Sequence, residues 1–232
     1  CIDPAFIGFH IKERAEISSK MVQKAYASER VGHFCVQNEK QVVIEYSDLP
    51  KELQEKLHPE TGELLYPAGS IAIHILDLNF IARVGGGNDP ALALPFHFAQ
   101  KKVSCIDAAG SLFSPLEPNG IKFEMFIFDS LPLAKRSVII ETRREDEFSP
   151  IKNASGQDSV TTSKRDQSAQ HIRWLKTAGE DVNDLETIEI SPFCAQTESE
   201  FIKYWQALDP KPLLKDGMYL NLNDNLCSKQ RL

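Results

Sequence analysis

Two runs rich in β-branched and aromatic residues, VGHFCV at 31–36 and QVVIEYSDL at 41–49, stand on either side of the polar tetrapeptide Gln37-Asn38-Glu39-Lys40. Such runs around a short polar turn predict a β-hairpin, here with a four-residue loop. The rest of the chain mixes strand and helix signals. SVIIETR (137–143) is a clear strand, and TTSKRDQSAQHIRWLKTAG (161–179) is a helix with Thr161 or Thr162 as its N-cap and Gly179 as its stop. AGSIAIHILDLNFIARV (68–84) is long enough for a strand leading into a helix. Strands that alternate with helices around one hairpin give an α/β sheet layered with helices.

Other elements follow from spacing. AFIGFHI (5–11), short and apolar, predicts a buried strand. In AEISSKMVQKAYASE (15–29), Ile17, Met21, Val22 and Ala25 have helical spacing. Residues 50–67 hold three prolines and predict a short helix and then loop. A strand is expected within 94–107 and turns within 114–120. IKFEMFIFDSLPLAKR (121–136) predicts a helix through Phe123, Phe126, Ile127, Leu131 and Ala134, kinked at Pro132; a strand up to Phe128 is the other reading. ETIEIS (186–191) is a strand, FIKYWQAL (201–208) a short helix, and the last dozen residues a frayed tail.

Charge narrows the function classes. The net charge of -7 argues against a nucleic-acid partner but permits a small anion held by a few local cations. The sequence has no apolar run long enough for a membrane helix and no basic-then-apolar opening, so a cytoplasmic protein is expected. The five cysteines are scattered, with no C-x-x-C, which gives little support to a zinc site or a disulfide framework. The six histidines show no metal-ligand spacing, and GGGNDP at 85–90 lacks the context and lysine of a phosphate-cradling loop.

Three clusters can carry chemistry. Glu45 and Tyr46 end the hairpin; they can share a pocket only if the strand stops or bulges there, and the plainer reading is a solvent-facing Glu beside a core Tyr. Lys122 follows the Asn119-Gly120 turn at the start of an element, where helix N-terminal amides would help hold an anion, with Phe126 and Phe128 near enough to stack on a sugar or base or to be core. Lys152 follows strand 137–143 and the acidic run REDE, on the kind of loop where α/β folds collect ligands. A charge-assisted bond from Lys152 to a phosphate would contribute roughly 1.5–3 kcal/mol, a surface pair with Glu145 or Glu147 about 0–1 kcal/mol. Composition alone favours a solvated lysine.

The strings DPAFIGFH, VVIEYSDL, AGSIAIH, AQKK, PNGIKFEMFIFD and REDEFSPIKN, in this order over residues 3 to about 175, resemble the eukaryotic-type UDP-sugar pyrophosphorylases, and most of all the UDP-N-acetylglucosamine pyrophosphorylases. The resemblance implies a Rossmann-like nucleotidyltransferase fold. It implies formation of a UDP-sugar and pyrophosphate from UTP and a sugar-1-phosphate with Mg²⁺, whose ligands would lie outside this chain. It gives Lys152 the phosphates of the sugar nucleotide and a catalytic part, and Lys122 the nucleotide phosphates. Gly32, Glu45, Tyr46, Ser70, Phe126 and Phe128 take sugar-pocket positions. Ser70 stands where the family pattern has Asn, which leaves N-acetylglucosamine against glucose open; a UTP–glucose-1-phosphate uridylyltransferase is the alternative, and a non-catalytic sugar-nucleotide-binding module is another. The family's glycine-rich nucleotide loop and metal-binding aspartate would precede Cys1. The chain is therefore expected to be the carboxyl-side portion of a catalytic domain (1–179) with an extension (180–232), inactive alone, with an open sheet edge.

Overall fold

Asp3 and Pro4 start a helix where the apolar run predicted a strand. The Asp3 carboxylate accepts the backbone N–H groups of Ala5 (2.9 Å) and Phe6 (3.2 Å), and Pro4 fills the first helical position, so α1 spans Pro4–Lys12. An acceptor followed by proline is a helix-start signal in its own right, and it outweighs the continuous apolar character of a segment that buries only Phe6. The computed structural model describes residues 3–87 and 89–221. These pack as two compact units that divide between Thr142 and Arg143.

The first unit is built on a five-stranded mixed sheet. Strand β1 (Ile17–Gln23) is followed by the hairpin β2 (Gly32–Gln37) and β3 (Lys40–Ile44), the short helix α2 (Lys51–Gln54), β4 (Ala68–Leu76) and helix α3 (Leu78–Gly85). Then come β5 (His97–Lys101), the small hairpin β6 (Cys105–Ile106) and β7 (Leu112–Phe113), β8 (Gly120–Glu124), a 3-10 segment over Ile127–Leu133, and β9 (Ser137–Glu141). The sheet order is β3-β2-β4-β1-β9, with β1 and β9 parallel and the other pairs antiparallel. Ile17, Phe34, Val43, Phe80, Phe128 and Leu131 form its buried core.

Two further expectations are corrected by the structure. Residues 15–29 were expected to be helical, yet 17–23 are strand β1. Its helical spacing is a coincidence of a strand buried on both faces whose Ser18, Ser19 and Lys20 are also buried. Residues 121–136 were expected to be a kinked helix. Pairing with β5 takes Gly120–Glu124 into a strand, and Pro132, which has no N–H to give, lies inside a 3-10 segment rather than an α-helix. The hairpin forms as expected but with a tighter turn. Asn38 and Glu39 sit at φ 50° and 63°, the two positive values of a primed turn, so Gln37 and Lys40 become the last cross-strand pair.

The second unit holds the short helix α4 (Arg144–Glu147), the long helix α5 (Val160–Thr177), β10 (Ile188–Ile190), α6 (Glu198–Gln206) and β11 (Met218–Leu220), the last unanticipated from sequence. Ser159 rather than a threonine caps α5. Thr162 is its partner in a capping box, its hydroxyl accepting the Ser159 N–H at 2.9 Å. Trp174 and Leu175 of α5 bury with Ile188, Ile190, Phe201, Trp205 and Leu220. Helix α5 thus shares its core with β10, α6 and β11. The expected tail falls almost wholly on 222–232, outside the described residues.

Burial sets a pH response. His33 is fully buried and accepts the Lys24 ammonium on Nε2 at 2.7 Å. Burial first, and the Lys24 charge second, hold its pKa below the usual value of 6.5. Burial does the same to His74 and His171. A folded chain that resists protonation loses stability to an unfolded chain that accepts the proton, so stability falls as pH drops through about 6.5 toward the lower folded values. The urea midpoint should be lower at pH 5.5 than at pH 7.5. The tryptophan signal will show this for the second unit, which contains both Trp174 and Trp205. Coincident midpoints would contradict it.

Candidate functional site

Gly32 marks the place where the sheet comes together most tightly. It pairs with Ser70 across β2 and β4. A Cβ added to it would lie 2.5 Å from Val43 Cγ1, 3.5 Å from Glu45 Oε1 and 3.7 Å from Ser70 Cβ. Three of the residues singled out from sequence, Gly32, Glu45 and Ser70, thus surround one spot. Sheet register supplies two of them. The third arrives because β3 stops at Ile44.

Beyond that stop the chain turns. The Glu45 carbonyl accepts the N–H groups of Asp48 (2.9 Å) and Leu49 (3.1 Å), and the Gln54 side-chain amide donates to the carbonyls of Tyr46 (2.8 Å) and Leu49 (2.7 Å). Strand alternation therefore no longer separates Glu45 from Tyr46. The plainer sequence reading is reversed: Glu45 is half-buried and Tyr46 is exposed. On the other side, Ser70 is nearly buried, and Ala72 sits at φ 58° where the β1–β4 register slips. A left-handed alanine costs about 1–2 kcal/mol, so the surrounding sheet must enforce this bulge.

The aromatic pair lies on the same unit. Phe126 and Phe128 stack with centroids 4.8 Å apart and planes 15° apart. Phe128 is buried in the core, while Phe126 is only half-buried. Phe126 also contacts the His97 ring, at 4.8 Å between centroids. His97 Nε2 donates to Asp129 Oδ2 at 2.8 Å, and its Nδ1 is 3.7 Å from Asp48 of the turn after Tyr46. Sequence reading passed over His97, Asp48 and Asp129, because they are far apart in the chain and share no spacing. The AQKK string beside His97 was the one signal that could have drawn attention to it.

Lys122 is in the middle of strand β8, with no helix N-terminus beside it, which corrects the dipole contribution expected there. It is 58% exposed and pairs with Glu124 at 3.0 Å. A surface pair of this kind is worth about 0–1 kcal/mol, so a phosphate competes for the ammonium easily. Lys152 belongs to the second unit. Its N–H and that of Asn153 both donate to the Asp158 carbonyl (2.7 and 2.9 Å), closing a loop that ends at the Ser159 cap of α5. Its side chain is exposed on that loop. Among the described residues no three His, Cys, Asp or Glu side chains converge as a metal site, and no helix is long and apolar enough to cross a membrane.

Residues 1–182 match the family described as UTP–glucose-1-phosphate uridylyltransferase. The chain belongs to that family. It is 42% identical to the UDP-N-acetylhexosamine pyrophosphorylase-like protein 1 of Xenopus tropicalis, over 76% of this chain and 34% of that protein. It is 39% identical to the UDP-N-acetylglucosamine pyrophosphorylase of Saccharomyces cerevisiae, over 82% of this chain and 40% of that protein. The solved UDP-N-acetylglucosamine pyrophosphorylase of Trypanosoma brucei superposes with a TM-score of 0.70 at 25% identity, over 96% of this chain and 46% of that one. The chain thus spans well under half the length of the curated relatives it matches, and its fold is that of the UDP-sugar pyrophosphorylases.

The close approach at Gly32 is testable. Gly32→Ala should push Val43 aside and destabilise the first unit by about 1–3 kcal/mol. Gly8→Ala, in open space on α1, should be neutral or stabilise by up to about 1 kcal/mol. Urea unfolding followed by far-UV circular dichroism compares the two; equal midpoints would refute the packing argument.

Proposed function

We propose that this chain supplies the sugar-side part of a nucleotidyltransferase that forms a UDP-sugar and pyrophosphate from UTP and a sugar-1-phosphate, N-acetylglucosamine-1-phosphate being the favoured sugar. Family membership supports the reaction class, and the names of the relatives support the sugar. The single observation that carries the reading is the convergence of Gly32, Glu45 and Ser70. The Glu45 carboxylate and the Ser70 hydroxyl, brought together beside Gly32, offer an acceptor and a donor for sugar hydroxyls.

In this reading an oxygen of the sugar phosphate attacks the α-phosphorus of UTP in line. One P–O bond forms, the bond to the β-phosphate bridging oxygen breaks, and pyrophosphate leaves with the electron pair. Catalysis of this kind is positioning and charge neutralisation. Lys122 and Lys152 are the cations we assign to the phosphates, Lys152 as the catalytic one. Phe126 and Tyr46 wall the sugar, with Phe128 behind Phe126 as its support. Mg²⁺ is the ion the family resemblance implies. The described residues do not fit a resident metal, since no three candidate ligands converge among them.

A second reading, with glucose-1-phosphate as the sugar, is favoured by one residue. Ser70 offers a single short hydroxyl where an amide would both donate and accept. Ser70→Asn should therefore shift preference toward the N-acetylated sugar. Titration calorimetry with UDP-N-acetylglucosamine, UDP-glucose and UDP decides between the sugars. The wild-type chain should bind a UDP-sugar more tightly than UDP, and Glu45→Gln should weaken the sugar nucleotide by about 10–100-fold, the worth of a hydrogen bond to a charged group. Equal affinity for UDP-sugar and UDP would remove the sugar-side reading. Since the sequence holds no glycine-rich loop of the phosphate-cradling kind, the 232-residue chain should release no pyrophosphate from UTP and sugar-1-phosphate. Measured turnover would show that it needs no such loop.

A further inference from the structure

We infer that His97 is a positioning residue for the sugar end of the site: it fixes the Phe126 ring and the turn that follows Tyr46 through Asp129 and Asp48. The inference rests on the sugar-side reading proposed above. Strands β5 and β8 form a two-stranded ribbon outside the main sheet. Its register sets His97 opposite Glu124 and Ala99 opposite Lys122, so His97, Lys122 and Glu124 share one face. The other face carries Phe98, Ile121 and Phe123, each 59–67% exposed. A two-stranded ribbon is marginal by itself, so the contacts that fasten its inner face decide where that face sits.

His97 makes those connections. Its Nε2–H bond to Asp129 reaches the 3-10 segment that carries Phe128. Its ring lies against Phe126, the residue that leads into that segment. Its Nδ1 faces Asp48, three residues after Glu45 on a turn that Glu45 itself closes. Asp129 is mostly shielded, with its side chain 14% exposed. Without the imidazole its carboxylate loses a charge-assisted bond and must turn toward water, and Phe126 loses the ring contact with His97. The Phe126–Phe128 stack and the Glu45 turn are then held less tightly. Lys122 keeps its strand pairing, since the β5–β8 backbone ladder does not involve side chains.

The consequence is a split between ligands. Calorimetry on the whole chain should show His97→Ala weakening the UDP-sugar by about tenfold, roughly the loss of one such contact, while UDP changes less than about twofold. His97→Gln, which can still donate to Asp129, should recover part of the loss. The double variant His97→Ala with Asp129→Asn should be no worse than His97→Ala alone, because the two act as one unit. Glu45→Gln serves as the reference for the parent reading. If Glu45→Gln weakens the UDP-sugar and His97→Ala does not, the positioning role is wrong and the sugar site stands. If His97→Ala weakens UDP and UDP-sugar equally, with a lowered melting temperature, the residue is merely structural and the inference fails. If the wild-type chain does not prefer the UDP-sugar to UDP, the parent reading and this inference fall together.

Discussion

Strand β1 lies inside the sheet between β4 and β9, with Ser18, Ser19 and Lys20 buried in succession. A buried polar run is tolerable only if each group has a partner, since an unpaired buried charge costs several kcal/mol. Each does. Ser18 meets His10 Nδ1 at 2.8 Å, Ser19 meets His74 Nδ1 at 2.8 Å, and Lys20 meets Asp3 Oδ2 at 2.8 Å with the Phe6 ring 5.5 Å away. The partners come from α1 on one face and β4 alongside. Asp3 has two tasks, since the carboxylate that caps α1 also pairs with Lys20; that ion is the main reason its pKa is held down. Moving β1 by one residue would place each of these groups against the wrong neighbour. The register of β1 is thereby set by polar pairing as well as by hydrophobic packing.

That pairing also explains where sequence reading succeeded and where it failed. The hairpin, strand 137–141, the strand-to-helix run 68–85 and helix 160–177 were all legible, because each has the periodicity or turn chemistry of its element without help from distant residues. Strand β1 was not, since its buried residues include two serines and a lysine whose partners lie up to 55 residues away. Helix α1 was hidden by a run of apolar residues of which only Phe6 is buried, although Asp3-Pro4 announced it. Strand β8 was misread because its apolar residues face outward on a ribbon, where neither helix nor strand periodicity reports a core. The candidate site residues were singled out through resemblance rather than local pattern. His97, with its contacts made across 32 residues to Asp129 and to the turn at Asp48, had no local signature at all.

The sheet makes the candidate site by bringing a glycine and an early strand end to the same place. Val43 Cγ1 already occupies the space where a Gly32 Cβ would go, so the glycine is required by packing whatever ligand the site takes. The same arrangement sets the buried Gly32 next to Glu45. A residue demanded by packing is a poor probe of a proposed ligand contact. Glu45, whose turn is held independently by Gln54, is a cleaner one.

The ribbon shows how a marginal element can be useful. Its inner face bears Lys122 and Glu124 in a weak, exposed pair, and its outer face offers no burial to hold it down. An element with little stability of its own takes its position from a few contacts, and here those include an imidazole between two carboxylates and an aromatic ring. Such a joint is stiff while the imidazole is in place, because the Asp129 hydrogen bond, the approach of Asp48 and the ring contact constrain it from three directions. It is also sensitive, because all three constraints pass through one side chain. A site that had to hold a sugar between a sheet and a ribbon would gain from that stiffness at the sugar, and the exposed Lys122 would remain free to change its partner when a phosphate arrives.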